Sequence, residues 1–329
     1  MTPDKTTATA AEAERWFVDH GLPWFVDDVR ERVLAGLSRR RLVRLAIVAG
    51  ILGAAGGAAV GWWSGDVSLG VAVGLTVLGL LVATYAAASL HGLAVARWAA
   101  RRTMGSLGLL FPLASRALPM LLLFMTFLFI NTEVWQVTSR LDAGVMWASV
   151  MIFALIGVGF LLVRLPEELD VFDEEITSGR LIAACQGTPL EQPARELEQQ
   201  LSDEELHRHS DVVGLERANL VLVLLVTQAV QVMLLSLAVW LFFLVFGGVA
   251  IDDEVIGLWV GGDAPTYVGQ RLVSRELIRT STFLAAFAGL YFTVYAVTDG
   301  TYRKQFFTSI TRELERAVSV RLVYRRLRD

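Results

Sequence analysis

Six apolar runs, each long enough to cross a bilayer, decide what this chain can fold into. The hydrocarbon core of a membrane is about 30 Å thick and a helix rises about 1.5 Å per residue, so roughly 20 apolar residues span it. The runs occupy 42–63, 67–90, 117–138, 143–164, 219–247 and 277–298. They predict an all-α fold: a polytopic transmembrane helical bundle of six spans with amphipathic cytoplasmic helices. The 329 residues leave room for one membrane domain and modest polar segments around it. These segments are an N-terminal arm (1–41), an acidic loop (165–217), an extracellular loop (248–276) and a basic tail (299–329). They flank spans 1–4 within 42–164 and spans 5–6 within 218–298.

Orientation follows from where the cations fall, because cytoplasmic loops of membrane proteins carry the excess of Arg and Lys. The N-terminal arm with its lead into the first span, the 2–3 connection, the 4–5 connection and the tail hold 25 of the 29 basic residues. The alternate loops hold Arg140, Arg271, Arg275 and Arg279. Both termini are therefore expected in the cytoplasm, with the protein in the plasma membrane. The formal net charge of −4 argues against nucleic acid as a partner. The lone Cys185 cannot form an internal disulfide. The first 40 residues are charged and give no sign of a secretory signal.

Several local patterns carry structural expectations. Gly53, Gly57 and Gly61, then Gly70 and Gly74, recur every four residues, a spacing that lets two helix backbones approach closely. Packing of span 1 on span 2 is the expected use, with homo-oligomerisation as the alternative. Trp16, Phe17, Trp24 and Phe25 give the N-terminal arm an aromatic face for the cytoplasmic end of the bundle or the headgroup layer. Leu107–Leu113 reads as a short interfacial helix. The acidic 4–5 loop reads as a helical hairpin broken at Gly187 and Pro189, with a second helix starting at Ser202 to Glu205. In the tail, Phe306, Phe307, Ile310, Leu314, Ala317 and Val318 fall on one face and Lys304, Arg312, Arg316 and Arg326 on another. A basic amphipathic helix is expected there, attached to the membrane surface or packed on the acidic loop.

Polar residues inside spans are costly in lipid and normally face the bundle interior. Span 3 carries Asn131, Glu133 and Gln136, and span 5 carries Thr227, Gln228 and Gln231. Converging, these six would line a polar path; facing separate neighbours, they would serve as interhelical hydrogen bonds. Arg271, Arg275 and Arg279 stripe one face of the helix leading into span 6, and Asp252, Asp253 and Glu254 open the same loop. A salt-bridged outer charged cap is expected, in which the stripe pairs with these acids and with Glu133 or Asp142; an unpaired stripe would instead attract anions. No catalytic residues, metal site or cofactor is expected. The acids Asp170, Asp173, Glu174 and Glu175 lack EF-hand spacing, and His207 and His209 have no third zinc ligand nearby.

Glu14-Arg15-Trp16-Phe17, Gly21-Leu22-Pro23 with Phe25 and Asp27, the Arg116-Ala117-Leu118-Pro119 entry and the stretch from Phe129 to Gln136 resemble multi-pass membrane proteins common in actinobacteria. The resemblance implies a polytopic membrane fold and brings no activity or functional residue with it. On the residues alone, a small transporter or channel with a path between helices 3 and 5 stands marginally ahead of a non-catalytic scaffold. The partners expected are the lipid bilayer, a cytoplasmic protein bound through 165–217 or 299–329, and a second copy of the chain.

Overall fold

The computed structural model describes residues 3–105, 121–173, 178–198, 212–261, 267–268, 273–298 and 316–328. The fold is an all-α membrane bundle. Among the described residues, five helices are long and apolar enough to cross a membrane, and a bent pair makes a sixth span when its halves are taken together. The chain is a multi-pass integral membrane protein. The expected interfacial helix at 107–113, the helix start at Ser202 and the histidines at 207 and 209 lie outside the described residues. So do Arg271 and the tail up to residue 315.

The N-terminal arm forms α1 (Pro3–Asp19), a 3-10 turn (Pro23–Phe25) and α2 (Asp27–Gly36). A helical hairpin follows, α3 (Arg39–Ser64) and α4 (Val67–Ser89). The glycine spacing is used for the packing of α3 on α4. A Cβ on Gly57 would lie 2.6 Å from the Gly70 carbonyl oxygen, and one on Gly70 the same distance from the Gly57 oxygen. Only glycine permits that crossing, where lipid offers no hydrophobic drive to hold the helices together. Gly65, at φ +70°, ends α3, and Asp66 caps α4 by accepting from the Ser68 and Leu69 amides at 2.8 and 3.1 Å. Trp62 and Trp63 stand almost fully exposed at this turn, as aromatic residues do at a membrane interface.

After α5 (Gly92–Gly105), the third apolar run departs from expectation. Instead of one span it forms α6 (Leu121–Phe129) and α7 (Thr132–Arg140), bent by 71°. Asn131 is the cause. Its backbone is extended and its Oδ1 accepts the Glu133 amide at 2.8 Å, so it caps α7 rather than continuing α6. The Phe129 carbonyl freed by the break accepts the Trp135 indole N–H at 2.6 Å.

Next come α8 (Ala143–Asp173), α9 (Ser178–Cys185), α10 (Glu191–Glu198) and α11 (Leu215–Ala250). α8 continues well past the apolar run into what the sequence reads as loop. Gly187, at φ +67°, breaks the chain between α9 and α10 as expected. α12 (Asp253–Val260), a two-residue ladder pairing Tyr267 with Ser274 and Val268 with Val273, and α13 (Arg275–Thr298) follow. A last helix, α14, covers 316–328.

α8, α11 and α13 form the inner bundle, with Gly289 against Ser236 and Gly247 against Leu277 and Phe129, where an added Cβ would force those side chains to move. Two cores cap this bundle. At the far end, Phe129 stacks on Phe243 at 4.5 Å between ring centroids, with Trp135, Leu277 and Ile256 around them. At the end carrying both termini, α1, α2, α5, α9, α10 and α14 close over the bases of α11 and α13. α14 shares a buried core with α9 and α10 of the acidic loop, the second of the two placements expected for the tail. Residues 317–324 are buried instead of lying on a membrane surface. The buried charge of α14, Arg321, is carried inside the fold by a counter-charge.

Candidate functional site

The terminal end concentrates the polar order of the molecule, and Glu216 is its centre. This residue opens α11, the 36-residue span, and its side chain is 3% exposed. Glu216 Oε2 accepts from Arg321 Nε at 2.7 Å, and Oε1 accepts from Arg30 Nη1 at 2.7 Å and Arg325 Nη2 at 2.9 Å. One carboxylate thus joins the membrane helix to the N-terminal arm and to α14. Its charge is compensated by three guanidinium groups, the condition under which a buried charge is tolerated. Burial pulls the Arg321 guanidinium below its ordinary range, and Glu216 works against that pull.

A second layer surrounds this junction. Arg30 also pairs with Asp27, and Arg328 reaches Asp27 at 2.9 Å and the Tyr324 hydroxyl at 2.8 Å. The Tyr324 hydroxyl donates to Glu14 Oε1 at 2.7 Å, and burial pushes its pKa up to about 12. One turn along α11, fully buried Asn219 holds the arm by its backbone. Its Oδ1 accepts the Trp24 amide at 2.9 Å and its Nδ2 donates to the Gly21 carbonyl at 3.1 Å. The Trp24 indole N–H donates to the Leu90 carbonyl at 2.8 Å, which ties in the corner between α4 and α5. Phe17, Trp24 and Phe25 pack on the end of the bundle, as the aromatic face predicted, and Phe17 meets Tyr324 edge-on at 5.6 Å. Cys185 lies in the same core, where burial pushes its thiol up to about 12.

Chemically this arrangement is a strut. Every ionised group in it faces a counter-charge or a hydrogen-bond partner, and no nucleophile is poised against a base. Among the described residues no group of three His, Cys, Asp or Glu side chains could hold a metal ion.

The six polar-path residues do not come together. Asn131 caps α7, Glu133 is exposed in the first turn of that helix, and Gln136 is half-buried further along it. Thr227, Gln228 and Gln231 are buried in α11, where the Thr227 hydroxyl donates to the Val223 carbonyl at 2.7 Å. Phe129, next to the α6–α7 corner, stacks on Phe243, twelve residues beyond Gln231. At 1.5 Å per residue that is about 18 Å along the helix. Gln228 is fully buried, and among the described residues neither of its amide atoms nor Gln231 Oε1 has a hydrogen-bond partner.

At the far end, Arg279 Nη1 donates to the Ser139 carbonyl at 2.5 Å, in the last turn of α7. The expected pairing of Arg279 with Glu133 is replaced by this contact. A cation at a helix C-terminus meets orphan carbonyls and the negative end of the helix dipole. Arg275 is exposed, and Asp252, Asp253 and Glu254 are exposed at the start of α12, where acids complement the dipole.

Sequence reasoning missed Glu216, Asn219 and Arg321. Glu216 sits just outside the fifth apolar run and counts in the sequence as one more carboxylate of an acidic loop, while Asn219 is the first residue of that run. Arg321 carried a usable signal: it is the one charge in an apolar stretch from Ala317 to Tyr324. Compared with known proteins, the chain matches no family model, no curated protein and no solved structure.

Proposed function

We propose that the protein is a non-catalytic membrane scaffold, set in the plasma membrane with both termini in the cytoplasm, whose terminal-end domain binds a cytoplasmic protein. The observation that carries this reading is the Glu216 junction. It joins the N-terminal arm, α14 and the longest span into one packed unit. Burying charge this thoroughly costs stability, and its benefit is a fixed arrangement of surfaces. The distribution of Arg and Lys supports the orientation. The exposed faces of α1 and α10, with Glu12, Arg15, Arg195 and Glu196, offer mixed charge to a partner, a second copy of the chain included.

Photo-crosslinking in intact cells tests the reading, with the reactive residue placed at Arg15 or Glu196 and, as controls, at Glu254 and Val249 of the far end. The reading expects one discrete adduct from the terminal-end positions only. Adducts absent at every position, or equal at both ends, overturn it.

Transport is the second reading, and Gln228 and Gln231 favour it. Their unpaired amide atoms, three residues apart and so on one side of α11, are the arrangement a polar solute passing between helices would satisfy. Flux across a bilayer that Gln228→Leu abolishes would support it.

A further inference from the structure

The N-terminus of α3 presents four arginines that the packed terminal-end domain does not use. Arg39, Arg40, Arg41 and Arg44 are all exposed, and among the described residues none is ion-paired. The first turn of α3 contains no acid, and its N-cap Ser38 makes no side-chain capping bond. The positive end of the helix dipole therefore adds to the arginine field instead of opposing it. Four unpaired cations in that place repel one another and raise the energy of the folded chain unless anions are present.

What lies below them identifies the anion. α3 is a membrane span, and α4 is the helix that packs along its length. Arg40, Arg44, Ile47 and Ile51 follow one another at spacings of four, three and four, which places them on one face of the helix. Ile47 is 55% exposed and Ile51 62%. That face thus carries guanidinium groups at the headgroup level and bare aliphatic side chains for roughly 10 Å beneath them, from Arg44 to Ile51. A second helix repeats the pattern nearby. On α5, Leu93, Arg97, Arg101 and Met104 share an exposed face. The two helices start from one corner, because Gly36 packs against Ser89 and Leu90, just before α5 begins. Arginine stems that lie along apolar surface with their heads at the water boundary are the geometry of snorkelling side chains.

We infer that the Arg40–Arg44 face of α3 is a binding site for anionic phospholipid. The guanidinium groups hold the headgroup phosphate and one acyl chain lies along Ile47 and Ile51. Each half of the ligand has a matching half of the site. A free phosphate would use only the arginines and leave the aliphatic face uncovered.

The test uses the full chain purified in mild detergent, with lipid retention read by native mass spectrometry and stability by thermal melting. Phosphatidylglycerol, phosphatidylcholine and inorganic phosphate are added separately. The expected result is retention and a raised Tm with phosphatidylglycerol, with phosphatidylcholine and inorganic phosphate both much weaker. The double variant R40Q/R44Q should bind phosphatidylglycerol about thirtyfold more weakly, while R40K/R44K keeps most of the affinity. Arg275→Gln, an exposed cation at the far end, should change nothing. Equal retention of the two lipids by the wild-type chain overturns the proposal without need of any variant. Displacement of the lipid by millimolar inorganic phosphate also overturns it, by showing an anion site indifferent to acyl chains. Unchanged binding in R40Q/R44Q places the lipid elsewhere.

Discussion

Replacing Glu216 by Gln removes one charge and leaves three guanidinium groups facing a neutral amide. The consequences differ among the three because their exposure differs. Arg321 is 1% exposed at its side chain, so it loses its compensating carboxylate while still out of water. Breaking a buried pair from one side costs about 3–5 kcal/mol. Arg30 and Arg325 are 26% and 47% exposed and can turn to solvent, so loss of either alone costs about 1 kcal/mol or less. Cys185, the chain's one cysteine, is buried in the same core and reports opening of the terminal-end domain through its rate of reaction with a maleimide. When opening is fast relative to labelling, that rate tracks the population of the open form. Glu216→Gln should therefore accelerate labelling by between about a hundredfold and a few thousandfold. Arg321→Met leaves Glu216 paired with Arg30 and Arg325, so it should act less strongly than Glu216→Gln but more than Arg325→Gln, which should act by about fivefold. The double variant E216Q/R321M should fall back towards the wild-type rate, because a neutral pair of similar volume leaves no uncompensated buried charge. Labelling of Glu216→Gln within about fivefold of wild type would refute the reasoning. So would an Arg325→Gln effect as large as that of Arg321→Met.

Other perturbations separate the structural roles. Gly57→Ala should lower Tm, because its Cβ would sit 2.6 Å from a backbone oxygen, while Gly50→Ala, with open space around it, should not; thermal melting compares them. Asn131→Ala should cost about 1 kcal/mol as a lost helix cap, with Asn131→Ser retaining most of it, whereas a role in solute passage would make both variants equally harmful. The carboxyl of Asp66 is held below the usual range by its hydrogen bonds from Ser68 and Leu69, so its contribution is complete above the ordinary carboxylate pKa and is lost as pH falls through the depressed one. Asp66→Ala should accordingly lower Tm at pH 7, and the gap from wild type should close in acid. For Tyr324, raised to about 12, the sign reverses: its contribution is complete below the ordinary phenol pKa and fades as pH climbs towards 12, so Tyr324→Phe should destabilise most near neutrality.

The spans were legible because a bilayer imposes a length and a hydropathy that composition alone records. The glycine spacing of α3 and α4 was legible for a similar reason, since close backbone approach admits few residue types. Asn131 was visible as a polar residue in an apolar run, but its role was not. A buried polar side chain and a helix cap look alike until the backbone turns. The terminal-end domain was the least legible part. Its core joins residues as distant as Phe17, Leu181 and Tyr324, and no local periodicity reports a contact across 300 residues. The tail shows the limit plainly. An amphipathic reading of 303–327 rests on the faces of an isolated helix, whereas residues 317–324 of α14 are buried by elements that arrive from elsewhere in the chain.

A scaffold that works through its terminal-end domain passes no solute through its bundle. Ion and proton flux in proteoliposomes, comparing the wild-type chain with Gln228→Leu and Gln231→Leu, tests that most directly. The account predicts no flux above that of empty vesicles under either sign of gradient, from protein whose Cys185 stays protected and therefore folded. Sustained flux in the wild type that either substitution abolishes would contradict it and make the buried amides of α11 the working part of the molecule.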